Sequence, residues 1–276
     1  MAVEYPPREV LACRMAMIEV FTVLGEYREQ IALVGGWIPP LLVPESAKLH
    51  TGSLDIDLAV DTNRIGDDVY QTIRDALLRQ GYQQDDQPFQ FIRFVPVDGG
   101  EPVRVKVDFL AGEYGGTADK HRTQPVQDLR ARKARGCDLV FDHTVAVRIA
   151  GAMQNGAQNE VPIKIAGPIP FLVMKGMALW NRMNQKDAYD IYWLVRYYHG
   201  GIEALAAEFT PTLDNALVVE GLAKIRSKFR TVDAIGPVWA SQVPSPSAGE
   251  PAQIARDAFE RVNALLDRLH IRPFED

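Results

Sequence analysis

The run Leu54-Asp-Ile-Asp-Leu-Ala-Val-Asp61 alternates apolar and polar residues along its length. In an extended chain successive side chains point to opposite faces, so Ile56, Leu58 and Val60 form one face and Asp55, Asp57 and Ala59 the other. Such a strand buries one side and leaves the other wet, which commits this part of the chain to a sheet covered on one face. Asp55 and Asp57 then project side by side, ~6.6 Å apart along the backbone. Carboxylates that close repel one another unless a cation stands between them. Mg²⁺ suits the position, because it takes few protein oxygens and keeps places for water and phosphate.

A second alternating run, Val103-Arg-Val-Lys-Val-Asp-Phe-Leu110, puts Arg104, Lys106 and Asp108 on one face and Val103, Val105, Val107 and Phe109 on the other. If it neighbours the first strand, Asp108 completes a set of three carboxylates able to hold two metal ions ~3.5–4 Å apart, as used for in-line phosphoryl or nucleotidyl displacement. Taken alone, Asp-x-Asp on a strand also fits an ordinary solvated face. Gly35-Gly36 ends a short β-rich run, 31–34. Glycines there let backbone N–H groups approach a phosphate, or simply supply a tight turn at positive φ.

The periodicity divides the chain. Helix is expected over 8–30 and 68–80, with a short helix near 37–43 interrupted by Pro39 and Pro40. Strands are expected over 31–34, 54–61, 89–97, 103–110, 138–141 and 144–149. From Pro168 the spacing turns helical: 170–183, 187–199, 201–209, 215–229 and 252–269, with a Ser/Pro-rich linker over 241–251. The expected organisation is an α+β domain with a mixed sheet over 1–166, followed by a helical domain over 167–276.

In the helical part, Asp187 falls on a stripe with Ile191, Leu194 and Tyr198, and Asp190 lies at its edge. A carboxylate within an apolar stripe needs a partner. The free N–H groups of a first helical turn are one candidate and a basic side chain is another. Lys175, Arg182 and Lys186 share one face if the helix runs on unbroken. Such a basic strip suits a triphosphate, metals taking one side and cations the other, and it also suits plain solvation. Further basic clusters stand at 120–122, 130–135 and 224–230, each either surface or a grip on a nucleic-acid backbone.

Composition narrows the remaining classes. At 276 residues and 47% hydrophobic, the chain can bury a sizeable core and is not of disordered type. A net charge of −6 argues against a generally basic nucleic-acid coat. The longest early apolar stretch, 15–24, is broken by Glu19 and too short to span a bilayer. The N-terminus does not read as a secretory leader. Cys13 and Cys137 make neither a disulfide framework nor a zinc site, so a cytoplasmic protein is expected.

The strings Leu33-Val-Gly35-Gly36, Ser53-Leu-Asp55-Ile-Asp57-Leu and Lys106-Val-Asp108-Phe resemble the signature of the polymerase-β-like nucleotidyltransferase superfamily. The later string from Leu172 through Lys175, Arg182, Lys186, Asp187 and Asp190 resembles the AbiEii/AbiGii-type nucleotidyltransferase toxins of type IV toxin–antitoxin systems. Where that family often carries an Arg before its Asp-x-Asp string, this chain has His50-Thr51-Gly52-Ser53. The resemblance implies a nucleotidyltransferase domain and transfer of a nucleotide from an NTP to an RNA hydroxyl, a tRNA 3′ end foremost, with a cognate antitoxin as a partner. It implies Mg²⁺ (two ions, with Mn²⁺ the substitute) on Asp55, Asp57 and Asp108. It also implies catalytic roles for these three and Lys175, and nucleotide contacts from Gly35, Gly36, Ser53, Arg182, Lys186, Asp187 and Asp190. Two alternatives stay open: a small-molecule, antibiotic-type nucleotidyltransferase, and a non-catalytic nucleotide- or partner-binding module of the same fold.

Overall fold

A computed structural model describes residues 6–62, 64–65, 67–113, 123–126, 129–245 and 249–275. The fold is α+β with a mixed sheet. The chain forms two compact units. One comprises Tyr5–Trp37 and Gly52–Ala166; the other contains Ile38–Thr51 and Gly167–Asp276. The change from sheet to helix falls at Ala166/Gly167, but the short segment 38–51 belongs with the helices.

In the sheet unit the strands are β1 (Ile31–Val34), β2 (Asp55–Val60), β3 (Gln83–Gln84), β4 (Gln90–Val95), β5 (Val103–Ala111), β6 (Thr123–Val126), β7 (Leu129–Lys133), β8 (Thr144–Ala152) and β9 (Gln158–Ala166). Among the described residues they order as β3-β4-β5-β2-β1-β9-β8, with β7 pairing the end of β5 and β6 pairing β7. β2 runs parallel to β5 and antiparallel to β1. Helix α1 (Pro7–Val23) packs against β4, β5, β8 and β9. It buries Cys13, Met17, Val20 and Phe21, and the sheet adds Ile56, Leu58, Val105, Val107 and Phe109 to the core. Helix α3 (Asp67–Arg79) is stopped by Gly81 at φ +89.

Two expectations are corrected here, and one strand was not foreseen. The first helix ends at Val23 and not near 30, and Gly25–Tyr27 forms a separate 3-10 turn. The segment 138–141 is not a strand; Cys137–Leu139 is a 3-10 turn entered from Gly136 in the left-handed region at φ +89. There the Asp138 carboxylate accepts a hydrogen bond from the Glu113 backbone N–H at 3.0 Å. The strand β9 went unread because Pro162 interrupts its alternation. It is tolerated because β1 pairs with β9 only at Ile165, leaving the proline outside that ladder.

In the helical unit, α2 (Ile38–Leu42) precedes a 3-10 segment, Pro44–Leu49. Then come α4 (Pro168–Asn181), α5 (Gln185–Tyr197), α6 (Gly201–Phe209), α7 (Ala216–Lys228), α8 (Ile235–Gln242) and α9 (Pro251–Arg268). The first residues of the expected linker, Ser241 and Gln242, instead end α8. The stripe on α9 is buried at Ala258, Val262, Leu265 and Leu269. α4 and α7 cross at two glycines, where a Cβ on Gly176 would lie 2.2 Å from the Gly221 carbonyl oxygen. Among the described residues no helix is long and apolar enough to cross a membrane.

Candidate active site

The sheet unit brings the carboxylate motifs together by strand register. Asp57 stands beside Asp108, and Asp55 beside Lys106, on the parallel pair β2 and β5. Residues side by side on neighbouring strands share a face, so all four project to one side. Their sequence neighbours Ile56, Leu58, Val107 and Phe109 take the reverse side at full burial. Antiparallel β1 sets Val34 opposite Asp57, which delivers Gly35 to the same place. Gly35 has φ +79, and a Cβ there would lie 2.2 Å from Asp57 Oδ2. Gly36 continues the 3-10 turn Gly35–Trp37. Gln90 Nε2, opposite Asp108 on β4, donates to Asp108 Oδ1 at 2.6 Å. Ser53 Oγ donates to the Asp55 carbonyl oxygen at 3.4 Å. Trp37 Nε1 donates to Cys13 Sγ at 3.3 Å. Burial, with Asp55 and Asp57 nearby, pushes the Cys13 thiol far up, so it stays protonated and inert.

The donor chemistry fits a divalent cation: hard carboxylate oxygens from two strands in register, with a glycine leaving room over one of them. The set is not drawn together into a cage. Among the described residues no three His, Cys, Asp or Glu side chains cluster as a metal centre. Asp57 and Asp108 are immediate neighbours, while Asp55 lies one strand step further on, ~6.6 Å along the backbone.

The helical unit holds a second constellation, and it is ionic and buried. Asp187 and Asp190, on the first turns of α5, are both 0% exposed. Lys175 on α4 is 7% exposed, and its Nζ lies 2.8 Å from Asp187 Oδ1 and 2.8 Å from Asp190 Oδ2. The contact to Asp187 is an aligned hydrogen bond; the contact to Asp190 is a close ion pair without that alignment. Arg182 grips Asp187 in a fork, Nε to Oδ2 at 2.7 Å and Nη2 to Oδ1 at 2.7 Å. Lys186 Nζ pairs with Asp190 Oδ1. His50 Nε2 meets the same oxygen at 3.1 Å. The N-terminal N–H of Lys186 is capped by the Asn184 side chain, so the carboxylates serve the cations and not the helix end.

The expected continuous basic face from Lys175 through Lys186 does not form. α4 stops at Asn181 and α5 starts at Gln185, with Met183 at φ +50 making the turn. Lys186 reaches the cluster by this reversal and not by helical spacing.

Electrostatics holds Lys175 and the two carboxylates ionised, while burial lowers the pKa of Lys186 against the pull of Asp190. Burial opposes charge on Lys175, but Asp187 and Asp190 outweigh it and raise its pKa above the ordinary lysine value. Burial likewise opposes ionisation of Asp190, yet Lys175, Lys186 and His50 hold its carboxyl far below the usual range. Burial and the neighbouring Lys186 lower His50 to about 4, against the Asp190 hydrogen bond, so the imidazole is neutral at pH 7. Three basic side chains face two carboxylates, and Arg182, 53% exposed, is the member that reaches solvent.

The other basic clusters are largely spoken for. Arg135 pairs with Glu113 at 3.0 Å, and Arg132 stacks over Phe89. Lys224 pairs with Glu220 at 2.7 Å, Arg226 with Asp267 at 2.6 Å, and Lys228 lies 4.5 Å over Trp180. Residues 120–122 lie outside the described residues.

Sequence reasoning missed His50 and its surroundings. The Leu49 carbonyl oxygen accepts from Tyr189 Oη at 3.3 Å, Trp193 Nε1 at 3.3 Å and Ser245 Oγ at 2.9 Å. The His50 ring packs edge-on to Trp193. A lone histidine in a loop gives no periodic signal that could have revealed this. Compared with models of known protein families and with curated proteins, the chain matches none.

Proposed function

We propose that the protein is a nucleotidyltransferase. It transfers a nucleotide from an NTP to a hydroxyl of RNA, a tRNA 3′ end foremost, and acts in the cytoplasm as the toxin of a toxin–antitoxin pair. The observation that carries the chemistry is the register of β2 and β5, which sets Asp57 beside Asp108 on one polar face with Gly35 against Asp57. The acceptor and the toxin role rest on the resemblance of the Lys175–Asp190 string to the AbiEii/AbiGii-type toxins.

In this reading Asp55, Asp57 and Asp108 hold Mg²⁺, or Mn²⁺ in its place. When bound, the metal neutralises charge on the phosphates and on the displaced pyrophosphate. The protein's own groups do the rest. Asp108, oriented by Gln90, takes the proton of the acceptor hydroxyl. The hydroxyl oxygen forms a bond to the α-phosphorus as the bond to pyrophosphate breaks. Backbone N–H groups at Gly35 and Gly36 bind phosphate oxygens, and Ser53 steadies the turn into β2. The resemblance gives Lys175 a catalytic role and Arg182, Lys186, Asp187 and Asp190 nucleotide contacts; within the helical unit Asp187 and Asp190 hold the three basic side chains in place.

Incorporation of radiolabelled nucleotide into a pool of RNA acceptors tests this. Asp57→Ala is expected to abolish labelling while circular dichroism and melting stay those of the parent protein. Full labelling by that variant rejects the assignment.

A further inference from the structure

The polar face of the sheet extends beyond the carboxylates, along β5 and β4 toward the sheet edge. Lys106 lies one strand step before Asp108, beside Asp55, and Phe94 on β4 stands beside Arg104, a further step back. All project to the face that carries Asp57 and Asp108, because Phe94 and Ile92 are register partners of Arg104 and Lys106. Phe94 is 46% exposed, one of the few large apolar side chains so placed, although the strand's other side supplies the core residues Phe91 and Val95. Lys106 is half-buried and makes no ion pair or side-chain hydrogen bond among the described residues. Arg104, by contrast, is tied to Asp85 at 2.7 Å.

An exposed aromatic on β4 and an uncommitted cation on β5, on the face that carries the Asp108 carboxylate, match the chemistry of an unpaired nucleic-acid strand. A base stacks on the ring and a backbone phosphate meets the ammonium. Arg104, beside Phe94, and Asp108 are four residue steps apart on β5, ~13 Å at ~3.3 Å per residue. That is a run of a few nucleotides at roughly 3.4 Å or more each. We propose that Phe94 and Lys106 form a landing platform for single-stranded RNA, holding the nucleotides that precede the terminal hydroxyl at Asp108. The inference rests on the transferase reading for what happens at Asp108, but the binding itself needs neither NTP nor metal.

The test is fluorescence anisotropy of the full-length protein with a short labelled single-stranded RNA, without NTP or metal, across a salt series. Phe94→Ala is expected to weaken binding roughly tenfold and leave the salt slope unchanged, while Phe94→Tyr restores affinity. Lys106→Ala is expected to weaken binding and to reduce the slope of log K against log salt by about 0.7, the loss of one single-strand phosphate contact. Both side chains project from the face opposite the core residues Phe91 and Val95, so the fold should be retained, as circular dichroism would check. Parent-like binding by both alanine variants overturns the proposal. So does equal competition by a fully paired duplex, which offers no free base to stack, or by an acidic peptide. None of these results depends on nucleotide incorporation, so the platform and the transferase reading stand or fall separately.

Discussion

Gly35 and Asp57 are set so close that a single methyl group on the glycine would lie 2.2 Å from the carboxylate Oδ2. The glycine is at φ +79, where an L side chain is disfavoured. Gly35 opens the 3-10 turn that follows β1 while Asp57 lies on β2, so their approach is a product of the β1/β2 register, which sets Val34 opposite Asp57, and not of the Gly-Gly motif itself.

Gly35→Ala therefore adds backbone strain of about 1–2 kcal/mol and pushes the Asp57 carboxylate aside. A displacement of that kind can cost about a hundredfold in rate. The expected outcome is a modest fall in melting temperature with a far larger fall in nucleotide incorporation. A variant that loses stability but keeps parent-like turnover would show that the close approach has no bearing on chemistry.

The buried cluster predicts an order of stabilities. Asp190→Asn leaves Lys175, Lys186 and Arg182 with Asp187 alone, and removing one partner from a buried ionic group typically costs about 3–5 kcal/mol. Lys175→Met leaves two cations with two carboxylates, each still paired, and should be clearly milder. Urea unfolding of the two variants checks this. A Lys175→Met protein as damaged as Asp190→Asn would contradict the account of the cluster.

His50 gives a pH dependence with a definite sign. Its pKa falls from 6.5 to about 4 on folding, so between those values the unfolded chain binds more protons. Stability is then fully present above about pH 6.5 and declines as the pH falls toward 4, by on the order of 3 kcal/mol at most. Asp190, held below the ordinary carboxylate range, adds its own loss only at more acid pH. In His50→Gln the slope of melting temperature between pH 6.5 and 4.5 should flatten; an unchanged slope would place its origin elsewhere.

At the crossing of α4 and α7, Gly176→Ala would put a methyl group 2.2 Å from the Gly221 carbonyl oxygen. Helix propensity alone would favour alanine. The overpacking should win, destabilising the protein by about 1–3 kcal/mol. Calorimetry that found Gly176→Ala more stable than the parent would mean the helices separate at little expense.

Much of the local structure was legible because periodicity is written residue by residue. The faces of β2 and β5, the buried stripe of α9 and the end of α3 before Gly81 all follow from side-chain spacing and from φ values that glycine tolerates. The need of Asp187 for a partner was legible too, since an ionised group on an apolar stripe is intolerable alone. Which partner it takes was not legible: the first-turn N–H groups were as reasonable a choice as Lys175 and Arg182.

The tertiary structure decided the pairings. That Asp57 stands beside Asp108, that Gly35 abuts Asp57, that Lys186 returns to Lys175 through a left-handed Met183, and that His50 is buried against Asp190 all depend on contacts between residues distant in sequence or across a chain reversal. Periodicity tells a residue which way to face but carries no information about which strand or helix lies alongside. That is settled by register, burial and charge balance acting over the folded chain as a whole.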